Sequence, residues 1–461
     1  MRVEYGADAA LSSAAKMNAG KQMRSMEPIS WRVFDYTRSV LLLTALAVPA
    51  FANAQTCPDP ATITRGMELP LAAVRYLADD ALEGRLAGSE GERCAARYIV
   101  SQFERLSLEP AGADGWFQTL PLASSINPHA PAGDGRNVIG RIEGSDRVLR
   151  DELVVIGAHY DHLGRGGFGS LAPDMPDAIH NGADDNASGV AAMLSVARQL
   201  SAGPRPARSI VFIAFTGEES GLLGSQYFAA QPTVTGATMV AMINMDMVGR
   251  LATGNLIVYG VDTAEEWMEL LSPAAERAGV DMATRGEGYG PSDHTSFYTK
   301  DIPVLHFFTN VHGQYHRPTD DWELIDGPGI ERVAAIVTEV ARGVADRRPV
   351  LTLRRGAGAP APAGEGRAAG YGAYLGSVPD FTPVETGVRI SGVSPGSPAE
   401  LAGLQAGDVI VRIGEQAVPD LQGMTDVLRS HRPGDEVVVG FLRDGRQATV
   451  RVVLGTRGSG D

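Results

Sequence analysis

Three features of the sequence predict an α/β fold with a mostly parallel sheet covered on both faces, followed by a smaller module. Short, predominantly apolar runs rich in β-branched residues recur at Leu153–Ile156, Ser209–Phe215, Met239–Met245, Leu256–Tyr259 and Val304–Phe308. Helix-period stretches lie between or after them, at Gly189–Leu200, Ala264–Ala278 and Ile330–Ala345. A strand that is apolar at every position is buried on both faces, so strands alternating with helices give a three-layer α/β/α arrangement. The third feature is Gly356–Gly370 (GAGAPAPAGEGRAAG), which has almost nothing to bury and reads as a flexible linker. The expected units are residues 60–348, a linker at 349–370, and a compact module at 371–456. Asn186 and Ser188 stand where they could cap the first of the helices.

Composition narrows the class. The 461 residues are 44% hydrophobic and 21% charged, as in soluble globular proteins. A formal charge of −15 without a basic run argues against nucleic acid as a partner. Near the N-terminus, Arg32 and Arg38 precede the apolar stretch Val40–Ala50, and small residues at Ala52 and Ala54 follow. That pattern predicts a signal peptide, with an unusually long leader, cleaved after Ala54. The true start would then be open between Met1, Met23 and Met26. The apolar stretch is shorter than the roughly 20 residues needed to span a bilayer, so an exported, periplasmic or secreted chain without a stable membrane span is expected. Cys57 and Cys94 are the only cysteines. Export favours a disulfide between them, with two independent thiols as the alternative.

In a doubly covered sheet, ligands bind beyond the carboxyl ends of the strands. The polar residues fall there. Leu153–Ile156 runs into His159-Tyr160-Asp161-His162, and Asn181–Gly189 (NGADDNASG) opens the next helix. Thr216-Gly217-Glu218-Glu219 follows Ser209–Phe215, Asp246 follows Met239–Met245, and Tyr315-His316 follows Val304–Phe308. Among the predicted core strands, Leu256–Tyr259 alone delivers no such group. So many clustered carboxylates are costly to bury unless cations neutralise them. Two divalent metals would do so. Histidines and carboxylates without cysteine suit zinc, with manganese or cobalt as weaker fits. One of two adjacent glutamates could bind metal while the other takes a proton from metal-activated water.

HYDHLG, NGADDNASG, TGEESG, NMDMVG and YHRPTD, in that order, resemble the co-catalytic zinc aminopeptidases, metallopeptidase family 28. The resemblance runs from about Leu77 (LADDALEGRLAGSEG) to about Val344. It implies a zinc exopeptidase fold and two zinc ions, one held by His159 and Asp246, the other by Glu219 and His316, with Asp185 bridging. It makes Glu218 the general base and later proton donor. Asp161 would hydrogen-bond His159, and Tyr315 would stabilise the tetrahedral intermediate. Asp184 is passed over because the motif places the bridge directly before Asn-Ala-Ser-Gly. His162, His180 and His294 are open between lining the pocket and structural or surface roles. Pro291-Ser292-Asp293-His294 matches a further family signature without an assigned chemistry. Many exported relatives insert a protease-associated domain ahead of the HYD strand, and the run Leu122–Arg150 is too short for one.

The C-terminal run, from Tyr374-Leu375-Gly376 through SPAELAGLQAGDVIVRIG to VRVVL, resembles a bacterial-type PDZ domain. The resemblance implies that the loop at Tyr374, Leu375 and Gly376 grips the terminal carboxylate of a peptide or of a partner protein's tail, which adds a strand to the sheet edge. The leading expectation is therefore an aminopeptidase acting on peptide substrates. The alternatives are a glutaminyl cyclase using one zinc, a carboxypeptidase of the same superfamily, and an inactive scaffold displaying the PDZ module.

Overall fold

The computed structural model describes residues 57–122, 133–166, 169–172, 174–252, 255–354, 373–380, 384, 386–393, 397–419 and 421–455. The leader, its cleavage point after Ala54 and the Gly356–Gly370 linker lie outside the described residues. The larger sheet comprises β1 (Glu109–Pro110), β2 (Phe117–Pro121), β3 (Asp134–Ile142), β4 (Glu152–His159) and β5 (Ser209–Phe215). It continues with β6 (Thr238–Met245), β7 (Leu256–Tyr259), β8 (Met282–Thr284) and β9 (Val304–Phe308). Its order is β1-β3-β5-β4-β6-β9-β7-β8, with β2 on β3. The centre, β5-β4-β6-β9, is parallel. The pairs β3–β5 and β7–β9 are antiparallel. Because β7 runs against β9, its carboxyl end points away from the edge where the parallel strands end. That explains why Leu256–Tyr259 alone carries no acid or imidazole there.

Among the described residues, eight α-helices accompany this sheet: α1 (Pro60–Ile63), α2 (Leu71–Leu77), α3 (Glu90–Arg105), α4 (Gly189–Ser201), α5 (Leu223–Ala230), α6 (Trp267–Ala278), α7 (His294–Tyr298) and α8 (Gly327–Asp346). The two faces of the central strands separate by alternation, since successive side chains point to opposite sides. Val154, Ile156, Ile210 and Phe212 pack with residues of α3, α4 and α8. Val155, Val211, Ile213 and Phe215 pack with Phe228 of α5 and Phe297 of α7. The three-layer arrangement follows directly. Asp326 caps α8 by accepting the Gly329 N–H at 3.0 Å, and Pro328 fits the first turn, where its missing N–H costs nothing. At α4 the cap differs from expectation. Asn186 Oδ1 accepts the Gly189 N–H at 2.8 Å, whereas Ser188 Oγ donates to the Asp184 carbonyl at 2.7 Å and makes no cap. Cys57 and Cys94 form a disulfide that ties the start of the described chain to α3. No helix among the described residues is long and apolar enough to cross a membrane.

The smaller module is an antiparallel sheet of β10 (Ser377–Asp380), β11 (Val388–Val393), β12 (Val409–Ile413), β13 (Gln416–Ala417), β14 (Glu436–Arg443) and β15 (Arg446–Val453). It also contains α9 (Pro398–Leu401) and α10 (Leu421–Ser430). It has its own core, including Leu375, Ile390, Leu404, Ile410, Val439 and Phe441. Among the described strands, β10 lies at one edge of the sheet and β15 at the other.

Candidate metal centre

The ends of β4, β5 and β6 carry His159, Glu218-Glu219 and Asp246 to one place, and the loops before α4 and after β9 bring Asp185 and His316 to it. Asp185 sits between two sets. Its Oδ1 is 3.2 Å from His159 Nε2, which is itself 3.4 Å from Asp246 Oδ1. Its Oδ2 is 3.1 Å from His316 Nε2, which is 3.3 Å from Glu219 Oε2. The Asp185–Asn186 peptide is cis.

These spacings fit zinc. Two donors each about 2.1 Å from a tetrahedral ion stand about 3.4 Å apart. In addition, the buried Asp246 Oδ1 finds no hydrogen-bond partner among the described residues. The acids make both ends of the centre attractive to positive charge. Burial opposes a proton on His159, yet Asp246, Glu218 and Asp185 raise its pKa well above the usual histidine range. Burial likewise opposes charge on His316, but Glu219 and Asp185 push it up to about 10. Asp185, against the cost of its burial, is held well below the ordinary carboxylate range by His159 and His316.

Each imidazole is aimed from its other nitrogen, as metal-binding histidines require. His316 Nδ1–H donates to the Gly169 carbonyl at 2.7 Å, and the residue sits at φ 53, a conformation few side-chain-bearing residues adopt. His159 Nδ1–H donates to the backbone carbonyl of Asp161 at 3.2 Å. The expected hydrogen bond from His159 to Asp161 is thus made through the main chain, and the Asp161 carboxylate lies at 3.8 Å. The carboxylate instead accepts the Glu218 N–H at 3.1 Å, because the chain turns after β4 and presents the main-chain oxygen to the ring.

Glu218 Oε2 is 4.0 Å from His159 Nε2. Burial, together with Glu219, Asp246 and Asp293, raises its pKa well above the carboxylate range, against the pull of His159. The half-buried Tyr315 stacks on His316 with centroids 3.8 Å apart. Burial and the site's carboxylates keep its phenol protonated. Asp184 is turned away: it accepts the Gly249 N–H at 2.7 Å and faces His312 Nε2 at 3.1 Å. His294 stacks on His306 in the protein interior at 4.4 Å, and His180 contacts Ser170 Oγ at 2.8 Å.

Several supporting residues escaped the sequence reading. Arg85 is fully buried and donates to the carbonyls of Tyr160 (2.8 Å), Asn181 (2.6 Å), Gly182 (3.1 Å) and Leu77, so one guanidinium joins the His159 and Asp185 loops. Asp320 Oδ2 accepts the N–H groups of Asp184 (2.9 Å) and Asp185 (3.1 Å), while its Oδ1 meets Arg250 at 3.0 Å. Glu92 accepts the Gly88 N–H at 2.6 Å and the hydroxyl of Thr216, which begins the Glu218 turn. His162, left open above, lies against Glu219, its Nδ1 2.7 Å from Oε1. The only sequence signals for these were the LEGR segment, the final acid of YHRPTD and the second histidine of HYDH.

Residues 137–341 match the family model described as Peptidase family M28, and residues 375–454 match the PDZ domain model. A protein of Arthroderma benhamiae named "Probable leucine aminopeptidase" is 30% identical over 277 residues, covering 54% of this chain and 73% of that protein. This chain belongs to peptidase family M28. Aminopeptidase YwaD of Bacillus subtilis is 31% identical over 213 residues, covering 44% of the M28 chain described here and 43% of YwaD. The chain thus spans about half the length of the first relatives it matches. A solved Zn-dependent exopeptidase of Parabacteroides distasonis shares the fold, with a TM-score of 0.51 at 22% identity over 62% of this chain and 99% of that one.

In the PDZ module, Tyr374, Leu375 and Gly376 directly precede β10. The Tyr374 N–H is engaged by the Gly455 carbonyl at 2.8 Å, and the Leu375 side chain is buried in the module's core. Gly376 has φ +81, and a Cβ there would lie 2.2 Å from that of Ser397.

Proposed function

We propose that this M28 chain is an exported aminopeptidase that removes N-terminal residues from peptides with two zinc ions bound. The observation that carries the reading is Asp185, whose two carboxylate oxygens face two separate histidine–carboxylate sets. One cation would lie among His159, Asp185 and Asp246, the other among His316, Asp185 and Glu219. Bound zinc would supply the charge that acidifies a water and polarises the scissile carbonyl. The protein's own groups do the rest. Glu218, fixed through its backbone N–H by Asp161, takes the proton of the attacking water and hands it to the leaving amine. Tyr315 donates its phenolic proton in a hydrogen bond to the carbonyl oxygen as that oxygen becomes anionic. Relatives named as aminopeptidases favour hydrolysis at the N-terminus. The Cys57–Cys94 disulfide supports an oxidising, periplasmic or secreted location.

The PDZ module would bind the C-terminus of a polypeptide substrate or partner. The Leu375 and Gly376 N–H groups would face the carboxylate, and the peptide would pair with β10. Metal analysis of the purified chain, with aminoacyl-nitroanilide hydrolysis measured in parallel, tests the catalytic reading. Two zinc ions and chelator-sensitive cleavage are expected. One zinc with cyclisation of N-terminal glutamine would replace the proposal with a cyclase, and no turnover after zinc addition would overturn it.

A further inference from the structure

Glu219 uses its two oxygens differently. Oε2 is 3.3 Å from His316 Nε2, a separation suited to two donors on one cation. Oε1 is 2.7 Å from His162 Nδ1. That is too close for two ligands of one tetrahedral ion and is a normal hydrogen-bond length. An ionised carboxylate only accepts, so the proton lies on Nδ1.

The His162 ring has little freedom. The residue is fully buried, and its main-chain N–H donates to the Arg85 carbonyl at 3.2 Å, which holds the backbone that carries the ring. Gly182 lies so close that a Cβ there would come within 2.5 Å of His162 Cγ and Cδ2. The ring stands edge-on to His316, with centroids 5.8 Å apart. Nδ1 is also 3.9 Å from Asp185 Oδ2, farther than the 3.1 Å of His316 Nε2. His316 is therefore the better-placed ligand, and His162 acts on the acid beside it.

We infer that His162 is a positioning residue: its Nδ1–H fixes Glu219 Oε1, so that Glu219 meets the second cation through Oε2 alone. The inference rests on the two-zinc reading. It predicts that the two cation positions respond differently to a change at His162, since His159 and Asp246 make no contact with its Nδ1.

Zinc titration of the full chain against a chromophoric chelator tests this. His162→Phe retains a ring but removes the donor, whereas His162→Asn places an amide N–H near the Nδ1 position. Wild type should take up two zinc ions. The Phe variant should keep one with unchanged affinity and bind the other about 10- to 100-fold more weakly. The Asn variant should recover most of that loss, and the melting temperatures of the zinc-free proteins should agree. If Phe destabilises the zinc-free chain, His162→Leu repeats the comparison with Asn. Two full-affinity zinc ions in the Phe or Leu variant would overturn the inference while leaving the two-zinc reading intact. Equal weakening in the Asn variant would also overturn it, by showing that only the ring's packing matters. A wild-type chain that binds fewer than two zinc ions would overturn both.

Discussion

The candidate metal centre of the large sheet and the proposed peptide site of the PDZ module are made of different material. At the first, side chains do the work: two imidazoles and four carboxylates converge within a few ångströms, and backbone groups such as the Gly169 and Asp161 carbonyls aim them. At the second, in the proposed reading, backbone N–H groups and the edge strand β10 would be the binding elements, and side chains such as Leu375 serve the core beneath. A site made of side chains is disabled by exchanging one functional group, whereas a site made of backbone is disabled by blocking its conformation.

Glu218→Ala should give the largest effect, a loss of about 100- to 10,000-fold in kcat with zinc content unchanged. Steady-state kinetics beside metal analysis would check it, and near-normal turnover would remove Glu218 from its role. Asp185→Ala comes next, because it takes one oxygen from each set. Fewer than two zinc ions per chain by mass spectrometry is the expected outcome. Asp320→Ala leaves every proposed ligand in place but strips the acceptor from the Asp184 and Asp185 N–H groups. Zinc affinity should fall about 10- to 100-fold, which would show how far the side-chain site depends on its backbone support.

For the groove, Gly376→Val places a branched side chain at φ +81 against Ser397. It should destabilise the module by about 1–3 kcal/mol and abolish binding of a C-terminal peptide, as read by calorimetry. Unaltered binding would break the contrast between the two sites.

The last effect, on stability alone, concerns Glu92. Burial pushes its carboxyl from 4.5 up to about 7, against the Thr216 and Gly88 hydrogen bonds. A folded-state pKa above the unfolded value means that the folded chain holds the extra proton. Its contribution is therefore full below pH 4.5 and is lost as the pH rises through 7. The shift corresponds to roughly 3 kcal/mol at most. In Glu92→Gln, the stability difference between pH 5 and pH 8, measured by urea denaturation, should shrink by an amount up to that size.

The sequence by itself determined the central strands, because runs such as Ile210–Phe215 are apolar at every position and have no solvated alternative. It also determined which side chains could meet, since acids and imidazoles stand just past strand ends and parallel strands end at one edge. Strand β3 was harder to read: its exposed Asp134 and Arg136 interrupt the apolar pattern. Only the tertiary structure decided the reversal of β7, the use of the Asp161 carbonyl in place of its carboxylate, and the anchoring by Arg85, Asp320 and His162. For Arg85 and His159 the physical reason is the same. Residue type limits the chemistry a side chain can do, but main-chain oxygens are present at every residue, and which of them a buried donor finds depends on how distant loops pack.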